Sequence, residues 1–176
     1  SIGSLNNIDE SLKETQVIIV SPTRELADQI FTVVKELSNY TNITLCKVVG
    51  GTRVQDCIQE LRKAPHMIIG TPGRIIDMLQ KKHIYTNHIK TFIIDEADEM
   101  LSQGFQELIK CIFNFIPKNS QVGLFSATYP KELLELSTQF MNNPKKILVN
   151  KEALTLEGIS QYYINVRHHN WKYDVL

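Results

Sequence analysis

Along this chain, short runs of consecutive apolar residues alternate with longer stretches in which apolar side chains return every three or four positions. These are the periods of buried strands and amphipathic helices. Strands are expected at Gln16–Ser21, Leu45–Gly50, His66–Gly70, Thr91–Asp95, Gln121–Ser126 and Lys146–Val149. Helices are expected at Arg24–Leu37, Arg53–Arg62, Gly73–Gln80, Glu99–Phe115 and Lys131–Met141. Val17-Ile18-Ile19-Val20 and Phe92-Ile93-Ile94 are apolar at every position, which requires cover on both sheet faces. A mostly parallel sheet between two helix layers follows, a three-layer α/β fold. Such sheets gather ligands at the carboxyl ends of their strands, so the turns there hold the chemistry.

The rhythm changes after Lys151, where Glu157-Gly158-Ile159 leads into a lone strand-like stretch, Gln161–Val166, and polar His168-His169-Asn170. We expect a domain over residues 1–154 and, over 155–176, a linker and the start of a second domain. The chain opens at Ser1 inside a helical rhythm (Ile2, Leu5, Ile8, Leu12) and reaches Leu176 in an apolar one, the pattern of a piece of a longer protein.

Composition narrows the reading. At 176 residues and 43% hydrophobic content the chain can bury a core without staples. Lys plus Arg and Asp plus Glu each number 19, so no bulk positive field draws the molecule to nucleic acid, and any such binding must be local. Cys46, Cys57 and Cys111 show no C-x-x-C spacing, which points to a reducing cytoplasmic or nuclear setting. No apolar run reaches the roughly 18 residues of a membrane span.

Asp95-Glu96-Ala97-Asp98 follows an apolar strand directly. Carboxylates this crowded repel each other unless a divalent cation or a metal-bound phosphate compensates. The arrangement suits phosphoryl transfer to water, with a strand-end Asp holding Mg²⁺ through water and the adjacent Glu deprotonating the nucleophile. A solvated acidic turn accounts for the same four residues when they are read alone. Ser126-Ala127-Thr128 also follows an apolar strand, and its hydroxyls could bond Asp98 from the neighbouring strand. A simple turn before Pro130 is the plainer alternative.

Three more turns lead into helices: Pro22-Thr23-Arg24-Glu25-Leu26-Ala27, Gly50-Gly51-Thr52-Arg53 and Thr71-Pro72-Gly73-Arg74. Helix N-terminal amides with a nearby Arg suit phosphate oxygens, and three such turns could follow a sugar-phosphate backbone without reading bases. Helix capping, with Glu25 completing a capping box, explains each turn singly. His66, His83, His88 and the His168-His169 pair lack partners at ligand spacing and are expected as solvated surface histidines. Cys57 is expected to pack rather than to act as a nucleophile. None of the eight glycines precedes a Lys, so the phosphate-cradling G-x-x-x-x-G-K-S/T loop does not occur in the sequence.

Taken in order, Pro22-Thr23-Arg24-Glu25-Leu26-Ala27, Gly50-Gly51, Thr71-Pro72-Gly73-Arg74, Asp95-Glu96-Ala97-Asp98 and Ser126-Ala127-Thr128 closely resemble the motif series of DEAD-box RNA helicases. The wider text, including Asp95–Phe105 and Leu154–Ile159, is similar to the initiation factor 4A subfamily. The resemblance implies a RecA-like first domain of the P-loop NTPase type that lacks its phosphate-loop strand here and binds ATP and Mg²⁺. It also implies a second such domain, RNA as substrate and a translation-initiation scaffold as partner. By match, Asp95 would hold the metal, Glu96 would be the general base, and Ser126 and Thr128 would couple hydrolysis to unwinding through Asp98. Pro22, Thr23, Arg24, Gly50, Gly51, Thr71, Gly73 and Arg74 would bind the RNA backbone. The absent phosphate-loop strand should sit centrally, leaving an open strand edge and a segment that is inactive and poorly stable by itself. A non-catalytic RNA- or scaffold-binding relative, and an unrelated phosphate-signalling receiver with clustered acids, are the competing readings.

Overall fold

The computed structural model describes residues 1–148, 160, 162–166 and 168–175. It divides into two units, Ser1–Pro144 and Lys145–Leu176.

The first unit opens with a short helix, α1 (Ile2–Asn6), and then alternates strand and helix. The order is β1 (Val17–Val20), α2 (Arg24–Leu37), β2 (Leu45–Val48), α3 (Val54–Leu61), β3 (Met67–Gly70), α4 (Pro72–Gln80) and β4 (Thr91–Ile94). It continues with α5 (Ala97–Ser102), α6 (Gln106–Phe113), β5 (Gln121–Leu124) and α7 (Lys131–Phe140). The five strands form one sheet, β2-β3-β1-β4-β5, with every pairing parallel. Val17 pairs with Met67 on one side and with Thr91 on the other, so β1, β3 and β4 end together.

The apolar runs are explained by two cores. Ile18, Val20, Ile68 and Phe92 face one helix layer, while Val17, Ile19, Met67 and Ile69 face the other. Every residue of β1 is buried, as a central parallel strand requires. The expected three-layer α/β architecture is therefore the observed one. Gly70 shows how tightly the strands meet: a Cβ there would lie 2.0 Å from the Val48 carbonyl oxygen. Among the described residues β5 pairs only with β4, and its side chains are half-buried to exposed.

Four expectations are corrected. The single helix expected over Glu99–Phe115 is two, because Gly104 takes a left-handed φ of +75° between them. Apolar residues on both sides keep helical spacing across that break, so the period hides it. Residues 146–148 form no strand, and Val149 lies outside the described residues. Tyr162–Val166 forms none either; it is exposed apart from a half-buried Val166 and has no sheet partner among the described residues, and Gln161 is outside the description. His66 is 4% exposed rather than solvated: its Nδ1 accepts the Thr44 backbone N–H at 2.9 Å, where β2 and β3 begin.

The second unit contains a 3-10 turn, His169–Trp171, and α8 (Lys172–Val175), with His168 edge-on to Trp171 at 5.1 Å. The expected boundary at 154–155, the Leu154–Ile159 text and the His169 side chain lie outside the described residues.

Candidate functional site

Because all five strands run parallel, the motif-bearing turns after β1, β2, β3, β4 and β5 emerge at one edge of the sheet. They separate into an acidic group after β4 and β5 and, after β1, β2 and β3, a groove called basic for its Arg24 and Arg74, although Glu25 and Asp77 line it too.

The acidic group starts as a continuation of the ladder. Asp95 donates its N–H to the Val20 carbonyl and Phe125 donates to that of Ile94, each at 2.9 Å. Glu96 then turns left-handed (φ +50°, ψ +52°) and forms the N-cap of α5. That conformation costs a non-glycine residue on the order of 1 kcal/mol, and such strain concentrates at functional sites. Glu96 offers no side-chain cap to its helix. Ser126 supplies one from the neighbouring strand end, its Oγ accepting the Asp98 N–H at 3.1 Å. In return, the Thr128 hydroxyl and N–H both donate to Asp98 Oδ2, at 2.6 and 3.0 Å. Glu99 N–H occupies the other carboxylate oxygen at 3.1 Å.

Burial works against charge at Asp98. The Thr128 and Ser126 hydroxyls and the backbone N–H groups of Thr128 and Glu99 outweigh it, holding the carboxyl below its ordinary value. The hydroxyls of Ser126 and Thr128 both reach Asp98, as expected, Thr128 at the carboxylate and Ser126 at the backbone N–H. Asp95 uses Oδ1 to accept the Glu96 N–H at 3.1 Å and borders a cavity of about 460 Å³ lined also by Ser4, Asn7, Gly123 and Phe125.

The basic groove encloses about 600 Å³ and brings together Pro22, Thr23, Arg24, Gly50, Thr71, Gly73 and Arg74. Thr23 caps α2, accepting the Leu26 N–H at 3.2 Å. Thr71 is the N-cap of α4 and Pro72 its first residue, but the Thr71 side chain makes no capping bond. Arg74 donates to the Thr52 carbonyl at 3.1 Å, which ties the second turn to the third. Gly51 (φ +78°) lies against the guanidinium of Arg24, whose Nη1 would be 2.1 Å from a Cβ there. A Cβ at Gly73 would meet nothing within 4 Å. Internal packing therefore accounts for Gly51 and leaves Gly73 unexplained except by something approaching from outside.

The groove also contains residues that motif reading missed: Glu25, Asp77 and Phe105. Phe105 follows Gly104 and caps α6. The available signal was a glycine inside a helical pattern, which marks a break. Cys57 is buried, and burial raises its pKa even though Arg74 pulls the other way; Cys46 is pushed up to about 12. Both thiols are structural, as expected for Cys57.

The family model for DEAD/DEAH box helicases matches residues 1–136. The chain is 49% identical over its whole length to the ATP-dependent RNA helicase eIF4A of Scheffersomyces stipitis, of which it covers 44%. It is 51% identical to that of Eremothecium gossypii, again over 100% of this chain and 44% of the relative. The chain thus spans less than half the length of these relatives. Among solved structures, Dbp5 of S. cerevisiae bound to RNA and ADP BeF3 superimposes with a TM-score of 0.80 at 28% identity, over 90% of this chain and 40% of that one. A DEAD box protein from Methanococcus jannaschii gives 0.75 at 36% identity, over 78% and 37%.

Proposed function

This chain belongs to the DEAD/DEAH box helicase family, and from that premise we propose that the whole protein is an ATP-dependent RNA helicase that grips and locally unwinds RNA without sequence preference. The observation that carries the reading is the pairing, on one sheet edge, of an acidic group clamped at Asp98 with an open groove holding Arg24 and Arg74.

On this reading Glu96 orients and deprotonates the attacking water, and Asp95 holds Mg²⁺. Among the described residues no three ligand-type side chains cluster, and one Asp95 oxygen is already engaged by the Glu96 N–H. Such a donor set suits a cation that keeps most of its water and binds phosphate oxygens, as Mg²⁺ does. When bound, the ion supplies charge to the phosphates of ATP. These 176 residues hold no phosphate-cradling G-x-x-x-x-G-K-S/T loop, so this segment by itself would not turn over ATP. Thr71, Arg24, Arg74 and the helix N-terminal amides beside them hold RNA phosphates, which positions a strand without reading its bases. Asp98, through Thr128 and Ser126, ties the β5 turn to the turn that carries Glu96, and so links hydrolysis to RNA engagement.

Similarity to initiation factor 4A supports a role in translation initiation, and the proposal extends to a scaffold protein as partner and to a reducing cytoplasmic setting. The test uses the whole protein. Glu96→Gln should lower RNA-stimulated ATP hydrolysis by at least about 100-fold, the scale of general-base loss. A variant that still hydrolysed ATP at the wild-type rate would remove Glu96 from the chemistry, whereas a whole wild-type protein without RNA-stimulated ATP hydrolysis would favour a non-catalytic binding module.

A further inference from the structure

Phosphate contacts explain how the basic groove could hold RNA, yet they give no preference for an unpaired strand over a duplex. Phe105 is the one aromatic side chain that lines it among the described residues, alongside Arg24, Arg74, Glu25 and Asp77. Asp77 is partly neutralised by Lys81, at 2.7 Å. A helix break precedes Phe105. Gly104 at φ +75° ends one helix, Phe105 donates its N–H back to the Met100 carbonyl at 3.0 Å, and α6 starts with Phe105 as its cap. An unbroken helix, which the apolar spacing would allow, could not make that turn. Phe105 is half-buried: part of it packs on the main core beside Leu101 and Leu108, and the rest borders the groove.

We propose that Phe105 is a base-contacting residue of the RNA groove, whose ring packs against the face of an unpaired base and so gives the phosphate track its preference for single strands. Every base has a π-face, so this interaction adds affinity without adding sequence specificity. A paired base keeps its faces in the stack and cannot offer one. The inference rests on the reading of the groove as an RNA track, and the experiment separates the two.

In the whole protein, with a non-hydrolysable ATP analogue and Mg²⁺, binding is measured to a short single-stranded oligouridine and to the same strand with abasic ribose. Phe105→Leu should weaken binding to the base-bearing strand about tenfold, the change expected when one stacking interaction is removed, and to the abasic strand by less than about twofold. Phe105→Tyr should bind both strands like wild type. An equal loss on both strands, or none on either, overturns the role of Phe105. Arg24→Ala should weaken both strands alike; if it weakens neither, the track itself fails and this inference with it. Since Phe105 also supports the core, wild-type protein is irradiated with a 5-iodouridine strand. A cross-link mapped to Phe105 supports the proposal, and cross-links confined to other residues overturn it.

Discussion

The acidic group and the basic groove share one sheet edge but use their polar atoms in opposite ways. At Asp98 both carboxylate oxygens and the backbone N–H are satisfied internally, by Thr128, Glu99 and Ser126. In the groove, the Thr71 hydroxyl caps nothing, Arg24 makes no ion pair among the described residues, and open space stands over Gly73. A satisfied network fixes two turns relative to each other and has little left with which to bind. A groove with free donors is stable only because water fills it, and it gains when phosphate oxygens replace that water. The contrast separates residues that fix two turns to each other from residues whose donors are left free.

The largest expected effect attacks the groove. Replacing both Arg24 and Arg74 with Ala should weaken single-stranded RNA binding by on the order of 100-fold at low salt. It should also reduce the slope of log K against log salt by about 0.7 for each phosphate no longer neutralised. Titrations across a salt series measure both. An unchanged slope would show that neither arginine meets a phosphate.

The Asp98 network should respond in stability and in its pH dependence. Asp98→Asn removes the charge from two donor interactions at a partly exposed site, a loss of about 1 kcal/mol after screening. The folded-state pKa of Asp98 lies below its ordinary value of 3.8. Its contribution is therefore fully present above pH 3.8 and lost as pH falls through the lower, folded value. Denaturant midpoints of wild type and Asp98→Asn should differ at neutral pH and converge in acid below that window. A gap that stayed constant through the acid range would place the stabilisation elsewhere.

Two glycines sharpen the comparison further. Gly51→Ala puts a side chain into left-handed backbone, costing about 1 kcal/mol, and pushes the flexible Arg24 tip out of place. Gly73→Ala fills open space in the first turn of α4 and should stabilise the fold by up to about 0.5 kcal/mol, since Ala is the better helix former. Both should weaken RNA binding. Thermal melts beside RNA titrations distinguish them: stability and affinity fall together at Gly51 and move in opposite directions at Gly73.

These contrasts also show where sequence was readable and where it was not. Four-residue apolar runs such as Val17–Val20 marked the central strands, because burial on both faces leaves no room for polar positions. Asp95, Glu96 and Asp98 were visible as a crowded strand end, but only the order of five motifs separated them from a solvated turn. What escaped depends on partners distant in the chain. His66 is buried by an N–H of Thr44 that no local pattern advertises. Phe105 reaches the groove because α5 and α6 are separate helices, while Leu101, Phe105 and Leu108 keep helical spacing as if they were one.

A last expected effect concerns that separation. A Cβ at Gly104 would meet nothing within 4 Å, as at Gly73, but Gly104 sits at φ +75° and Gly73 lies within a right-handed helix. Sterics are therefore equal at the two sites and the backbone alone decides the sign. Gly104→Ala should cost on the order of 1 kcal/mol or slightly less, since the break lies on an exposed turn that can relax. Relaxation would draw Phe105 toward a continuous α5–α6 helix and away from the groove. A melt that falls slightly, together with weaker binding to base-bearing RNA and little change on the abasic strand, ties the helix break to the track. A variant that melts lower but binds both strands like wild type would reduce the break to a folding feature.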